Sequence, residues 1–373
     1  MKVAEREVPF VSVVIPMRNE ARHIGACLDA VLAQAYPADR MEVIVVDGAS
    51  ADESPTIVRA YGERDQRVRL LPNPRQIVPT AMNIGIRAAR GDVIARVDGH
   101  TRIAPDYLRV GVEALARSGA DNVGGPMHTV GGGGFGDAVA AAMSSRFGIG
   151  AYFHFGTVER DADTVYLGMW PRGALERAGL FDEELVRNQD DELNYRLRKL
   201  GGRVVLIPTM RSWYQNRQGV CQLARQFYQY GEWKVRVLQK HPWQMSWRHL
   251  VPPVFVATIG SLAVAAGVTP VAGRLTIALV AIYVGVVLVV AGRLSGRRGV
   301  WAWLATALAF AIIHLAWGTG FLAGCVRFAG RWRGGESPPP TLAERTEAPQ
   351  RRGAFAGEEA GPDITPGGLR RVL

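Results

Sequence analysis

The sequence predicts an α/β domain built on a mainly parallel, doubly wound sheet, followed by an α-helical segment embedded in a membrane. Three observations predict it. Short β-branched apolar runs alternate with stretches of helical periodicity from Phe10 to Asp98. Acidic and small polar residues stand directly after several of these runs, where the carboxyl ends of parallel strands gather ligands. Three long, almost uncharged stretches lie between Val251 and Val326.

Phe10–Pro16 is a β-branched run ending in proline, and reads as a buried strand. Glu20 to Gln34 follows with Ile24, Leu28, Val31 and Leu32 at helical spacing. Met41–Asp47 is a second buried strand, Asp52–Tyr61 a helix and Val68–Leu71 a third strand. Thr80–Ala89 is a helix, and Gly91–Asp98 a fourth strand. The residues just after Ile15, Val46 and Val97 are therefore expected to share one crevice. Glycine is dense from Gly124 to Gly136, four of them consecutive, and reads as a flexible loop. A helix is expected from Asp190 to Leu200, then a strand at Val204–Ile207.

Residues 1–219 are expected to form the α/β domain. Residues 220–250 read as an amphipathic, basic, aromatic helical region, suited either to docking or to a membrane interface. Residues 251–326 read as about three transmembrane helices, Val251–Val268, Leu275–Ala291 and Val300–Val326, since a bilayer core needs about 20 helical residues. Pro252 and Pro253 suit the start of the first. Residues 327–373 become rich in Pro, Gly, Arg and Glu, and a disordered tail is expected.

The N-terminal residues carry Glu5 and Glu7 and lack the apolar core of a secretory leader, so the α/β domain is expected on the cytoplasmic side. Three spans then place Arg293, Arg297 and Arg298 inside, as the positive-inside rule asks, but Arg327, Arg331 and Arg333 outside, against it. An interfacial or re-entrant segment among the three would return the tail to the inside.

Composition narrows the class. With 48% apolar and 21% charged residues, the chain is neither disordered nor collagen-like. Its net charge of +10 fits an anionic substrate or membrane surface as well as simple solubility. The basic residues do not gather in a recognition helix, so nucleic acid is not an expected partner. Cys27, Cys221 and Cys325 are too few and too scattered for a disulfide framework or a zinc site, which suits a reducing compartment.

Three clusters carry chemistry. Asp98-Gly99-His100, at the end of a buried strand, combines ligand types that hold a divalent cation shared with a phosphate-bearing substrate; equally, Asp98 caps a turn and His100 lies at the surface. Asp47, with Gly48 and Ser50, is placed to bond a base or ribose, or to cap a helix. Gln189-Asp190-Asp191-Glu192 offers either a general base or an acidic first turn matched to the helix dipole.

Taken in order, Val11-Ser12-Val13-Val14-Ile15-Pro16-Met17-Arg18-Asn19-Glu20, Val45-Val46-Asp47-Gly48-Ala49-Ser50, Asn83-Ile84-Gly85, Gly91-Asp92-Val93-Ile94-Ala95-Arg96-Val97-Asp98 and Phe181-Asp182-Glu183 before Gln189-Asp190-Asp191-Glu192-Leu193 resemble a family 2 glycosyltransferase. The resemblance spans about residues 8 to 240 and is nearest to the succinoglycan-type, membrane-associated β-glucosyltransferases. It implies a GT-A fold, a Rossmann-like nucleotide-sugar domain.

The resemblance also implies roles. Pro16, Asn19, Glu20, Asp47, Ser50, Arg75, Asn83 and Asp98 would bind the nucleotide diphosphate sugar, with uridine as the expected base. Asp98 and His100 would hold Mn2+ or Mg2+; histidine in the triplet's last place favours Mn2+ or a phosphate contact. Asp190 matches the catalytic base, with Asp191 the alternative because Gln189 replaces the usual glutamate. Trp170, Arg172, Arg187, Arg217, Gln226, Tyr230 and Trp233 are expected on the acceptor side. The Gln-x-x-Arg-Trp motif of processive synthases is absent from Arg225–Trp233, so a single transfer is expected, to a lipid-linked glycan. Transfer to polyprenyl phosphate itself and a non-catalytic nucleotide-sugar-binding protein are the rival readings.

Overall fold

A computed structural model describes residues 8–148, 152–216, 219–296 and 298–332. The expected disordered tail lies almost wholly outside the described residues, as does Arg217. In chain order the elements are β1 (Val11–Met17), α1 (Ile24–Leu32), β2 (Met41–Asp47), α2 (Ser54–Arg64), β3 (Val68–Pro72), α3 (Val78–Ala88), β4 (Val93–Arg96), β5 (Thr101–Ile103), α4 (Tyr107–Ser118), β6 (Asn122–Gly125) and β7 (Met127–Val130). There follow α5 (Gly134–Met143), β8 (Arg160–Asp161), β9 (Tyr166–Pro171), α6 (Arg172–Ala178), α7 (Gln189–Lys199), β10 (Val204–Leu206), β11 (Ser212–Gln215), α8 (Val220–Lys240), α9 (Trp247–Ala265), α10 (Pro270–Ser295) and α11 (Val300–Arg327).

Among the described residues the main sheet has the order β3-β2-β1-β4-β9-β6-β10-β8, and β5-β11-β7 form a second, small sheet. The first four strands are parallel, with Met17 paired to Asp47 and Asp47 to Pro72, so the ends of β1, β2 and β3 are level. Strand residues alternate between two cores. Val13, Ile15, Val43 and Val45 pack with Ile24 and Leu28 of α1 and Tyr107 and Leu108 of α4. Val14, Ile44, Val46 and Ile94 pack with Met82 and Ile86 of α3 and Leu193 and Leu197 of α7. Burial on both faces is why these strands read as continuous apolar runs.

The structure adds a strand and revises the reading of the glycine-rich stretch. The sheet is interrupted by β9, which runs antiparallel between β4 and β6 and was not anticipated from the sequence. Nor is Gly124 to Gly136 simply a flexible loop, for β6, β7 and the start of α5 occupy much of it. The glycines serve close approach instead. A Cβ on Gly124 would lie 2.7 Å from the Tyr166 carbonyl oxygen, and one on Gly125 only 1.6 Å from that of Met210.

The three apolar helices α9, α10 and α11 are each long and apolar enough to cross a membrane. The first begins earlier than Pro252, at Trp247, where Ser246 and His249 form a capping box. The two prolines thus lie within α9 and not at its start. Helix α8 docks along α11, backbone to backbone: a Cβ on Gly231 would meet the Trp317 carbonyl at 2.1 Å, and one on Gly320 the Tyr228 carbonyl at 2.0 Å.

Candidate active site

The level ends of β1 and β2 set the floor of the site. Beyond β1 the chain turns through Asn19 at φ 55°, a left-handed conformation that asparagine tolerates. Its side-chain oxygen accepts from Ala51 N–H (2.8 Å), and its own N–H donates to Ser50 Oγ (2.8 Å). Ser50 Oγ donates in turn to Asp47 Oδ1 (2.6 Å), and Glu20 N–H donates to Ser54 Oγ (2.8 Å). Asn19, Asp47 and Ser50 thereby form one network, Glu20 is tied to Ser54 of α2, and Pro16 pairs with Val46 in the sheet.

From β4, Arg96 and Asp98 point the same way, as residues two apart on an extended strand do. Arg96 is almost fully buried (7% exposed) and donates from Nε to Asp98 Oδ1 at 2.7 Å. Its Nη1 donates to Asp190 Oδ1 in the first turn of α7. One guanidinium therefore bridges both acids. Burial opposes its charge, but Asp190 and Asp98 hold it firmly protonated. Beyond Asp98, His100 Nδ1 meets Glu20 Oε1 at 2.8 Å, and its ring packs edge-on to Tyr214 at 5.3 Å.

The three consecutive acids of α7 enter three different environments. Burial raises the Asp190 carboxyl above the usual aspartate range; Arg96 opposes this, while Asp98 and Asp191 add to it. Burial also pushes Asp191 upward, but the Lys234 ammonium at 2.6 Å outweighs it and leaves Asp191 below the usual range. Glu192 is buried between Arg196 (2.6 Å) and His241 (2.8 Å). Asp190 is thus the acid of the three that faces Asp98. Gln189 is buried, with its Nε2 3.4 Å from Asp190 Oδ2.

Asp98 Oδ2 and His100 Nε2 carry no protein hydrogen bond among the described residues. No group of three or more His, Cys, Asp or Glu side chains there is arranged to hold a metal. One carboxylate oxygen and one imidazole nitrogen, each with its other polar atom already anchored, fit a cation completed by substrate oxygens better than one caged by protein.

Several sequence-predicted residues do other work. Asn83 is buried and spends its amide on Phe181, donating to the carbonyl (2.9 Å) and accepting from the N–H (2.9 Å), so it anchors α3 to that segment. Trp170 is 1% exposed and packs against Phe181 because β9 turns it into the core. Arg172 donates to the carbonyls of Gly91, Ile86 and Ala89, tying α6 to the end of α3. In this structure the three side chains are engaged in packing and in anchoring neighbouring segments.

Arg75 pairs with Glu183 (2.7 Å), and Arg187 bonds Gln229 (3.1 Å). Gln226 donates to Tyr230 within α8 (2.9 Å), and Trp233 packs on Phe328. Two residues to which the sequence assigns no site role stand beside the acids of α7. Arg96 is a lone cation in an apolar strand, which requires a buried partner; Lys234 was hidden in the basic stripe of α8.

A cleft of about 360 Å³ adjoins the site, lined by His23, His100, Arg102, Trp213 and Gln215 among others. Trp213 sits at the centre of the small sheet, in register with Arg102 on β5 and His128 on β7. It is 38% exposed, and its ring lies 6.4 Å from that of His128.

Comparison with known proteins bears on this geometry. Residues 12–171 match the family model described as glycosyl transferase family 2. The chain is 31% identical over 316 residues to the succinoglycan biosynthesis protein ExoA of Rhizobium meliloti, covering 83% of this chain and 93% of the relative. It is 25% identical over 246 residues to the dolichyl N-acetyl-alpha-D-glucosaminyl phosphate 3-beta-D-2,3-diacetamido-2,3-dideoxy-beta-D-glucuronosyltransferase of Methanococcus voltae, covering 64% of this chain and 77% of that one. Its fold is similar, at a TM-score of 0.55 and 23% identity, to a mannosyltransferase of Pyrobaculum calidifontis solved in complex with GDP-Man and Mn2+, covering 83% of this chain and 87% of that one.

Proposed function

The chain belongs to glycosyl transferase family 2, and on that footing we propose that it is a membrane-bound inverting enzyme. It moves one sugar from a nucleotide diphosphate donor to a lipid-linked glycan, in building a surface or exported polysaccharide, with its α/β domain on the cytoplasmic side. The observation that carries this reading is the Arg96 bridge, which puts the diphosphate-side acid Asp98 and the candidate base Asp190 on one guanidinium.

Asn19, Glu20, Asp47 and Ser50 form the wall for the nucleoside, and Pro16 shapes its floor. Arg75 lies at the end of β3 beside that wall, within reach of the nucleotide once Glu183 releases it. Asp98 and His100 would hold a divalent cation, which supplies charge stabilisation to the departing diphosphate. The Pyrobaculum protein, solved with a nucleotide diphosphate sugar and Mn2+, supports that pairing of donor and ion.

Asp190 accepts the proton of the acceptor hydroxyl as it attacks. Its raised pKa makes it a stronger base than an exposed aspartate, and Arg96 fixes its carboxylate toward Asp98. Asp191 instead anchors α7 to Lys234 of α8. Attack opposite the departing phosphate needs no enzyme nucleophile and inverts the anomeric centre.

Two features support an acceptor that already carries a sugar. The Methanococcus relative is named for transfer to a dolichyl phosphate-linked sugar. In addition, the Trp213 cleft offers an indole face for the apolar side of a pyranose, beside Arg102 and Gln215 for its polar groups.

The test is transfer from a panel of labelled nucleotide sugars to lipid-diphosphate oligosaccharide and to bare polyprenyl phosphate. Asp190→Asn should bind donor and lose about 10²- to 10⁴-fold of its transfer rate. Full activity of that variant would remove the assignment, and products on bare polyprenyl phosphate alone would change the acceptor.

A further inference from the structure

The third apolar helix has two unlike faces. Toward its partners it buries Thr306, Ala309, Phe310, Ile313, Gly320, Phe321 and Gly324. Away from them it exposes Trp301, Leu304, Leu308, Leu315 and Val326. These two stripes, each at helical spacing, run along opposite sides of α11.

The buried stripe packs on the catalytic domain along much of the helix, and its first half also meets the end of α10, where Ser295 Oγ donates to Thr306 Oγ1 (3.2 Å) and Trp303 Nε1 to the Leu288 carbonyl (2.7 Å). Phe310 packs edge-on to Phe147 at 5.1 Å, and His314 Nε2 meets the Phe147 carbonyl at 2.8 Å. Phe310 and Ile313 share a core with Met127 and Tyr214 of the small sheet. Further along, Trp317 and Gly320 touch α8 backbone to backbone, and Phe321 packs with Val235 and Leu238. At the end, Arg327 pairs with Glu232 (2.9 Å), and the Phe328 carbonyl accepts from Gln239 (2.6 Å).

From Phe310 to Phe328 a helix rises about 27 Å, close to the ~30 Å of a hydrocarbon core. A helix that crossed the bilayer over that length would carry its partner α8 into the acyl chains, together with Lys234, Arg236 and Lys240. Immersing those charges is prohibitive.

By contrast, α9 buries only Pro253, and α10 only Ala272, Val287, Ala291 and Ser295. Their two outer ends return to the catalytic domain. Just before α9, Gln244 donates to the Asp191 carbonyl (2.9 Å), while Val287 and Ala291 of α10 join the core with Met127 and Tyr214.

We infer that α9 and α10 cross the membrane as a hairpin, and that α11 lies along the membrane surface with its Trp301–Val326 face in the lipid and its other face on the catalytic domain. The charges agree. This arrangement puts Arg248, Arg293, Arg298, Arg327 and Arg331 on the catalytic side and leaves Arg274, near the hairpin turn, on the far side. Three spans would put the last two across the membrane from the others. An interfacial helix with one apolar face needs only a lipid surface as its partner.

Native cysteines allow the test. Cys221 on α8 and Cys325 on α11 are exposed, and Cys27 is buried. A membrane-impermeant maleimide is applied to right-side-out and inverted vesicles carrying the full chain as Cys325→Ser, as Cys221→Ser, or as Val268→Cys with both Cys221 and Cys325 replaced by serine. Cys221 and Cys325 should label in the same vesicle orientation, and the hairpin-turn thiol at position 268 in the other. Labelling of Cys325 only in the orientation that labels position 268 would overturn the arrangement. Where Cys325 reacts in neither, a reporter fused after Leu373 decides. A fluorescent green fluorescent protein supports the hairpin, and an active alkaline phosphatase at the same point defeats it.

Discussion

Asp98 and Asp190 are joined through the buried guanidinium of Arg96, whose Nε reaches the first and whose Nη1 reaches the second. Two acids from distant parts of the chain are thus fixed on one side of the sheet, and each can act on a different charge of the same transfer.

Asp190→Asn is expected to lower transfer by about 10²- to 10⁴-fold, the range for loss of general-base catalysis, with donor affinity retained. Asp191→Asn should keep most of the activity but lower the melting temperature, because it leaves the buried Lys234 ammonium unpaired. Transfer assays, donor titration and thermal melting on the two variants separate the roles. Reversal of the two outcomes would move the base by one position.

Arg96→Met removes the cation from between two carboxylates. The Asp190 carboxylate is then harder to ionise, so its pKa should rise further. A base works only when deprotonated. The acid limb of the pH–rate profile should therefore move to higher pH in the variant, along with a fall in maximal rate. An unmoved limb would separate Arg96 from the titrating group.

Chelation tests the cation. Excess EDTA should abolish transfer, and Mn2+ or Mg2+ should restore it. In His100→Ala, restoration should require a higher concentration of Mn2+, since imidazole ligation favours Mn2+ over Mg2+. Undiminished turnover in EDTA would leave Asp98 and His100 without that role.

The cleft beside the site predicts a split between substrates. Trp213→Ala should raise the KM for the lipid-linked glycan while donor hydrolysis in the absence of acceptor stays unchanged. Equal loss in both assays would instead assign Trp213 to the packing of the small sheet.

Glu184 gives a stability expectation. Hydrogen bonds from Arg236 and Lys240 lower its pKa from 4.5 to about 2. A depressed carboxylate contributes stability above its unfolded pKa, and that contribution fades as pH falls toward the folded value. Glu184→Gln should therefore melt below the wild type at neutral pH, with the difference narrowing between pH 4.5 and about 2. A gap that does not change with pH would rule out this linkage.

What the sequence determined by itself is local. Apolar β-branched runs specify buried strands, and turn residues after Pro16, Val46 and Val97 mark where they end. Parallel strands must bring those ends to one edge, so the crevice holding Asn19, Asp47 and Asp98 was readable without coordinates. The length and uniformity of α9, α10 and α11 likewise marked them as lipid-compatible.

Only the tertiary structure decided the rest, because it depends on partners far away in the chain. Asp190 and Asp191 are adjacent and chemically alike, and what separates them is Arg96 from β4 on one side and Lys234 from α8 on the other. Trp170 looked like a ligand contact until β9 inserted antiparallel and buried it. The apolar character of α11 reports its affinity for lipid, but not its direction. That direction comes from the second face, which packs on the catalytic domain and so competes with burial in the bilayer.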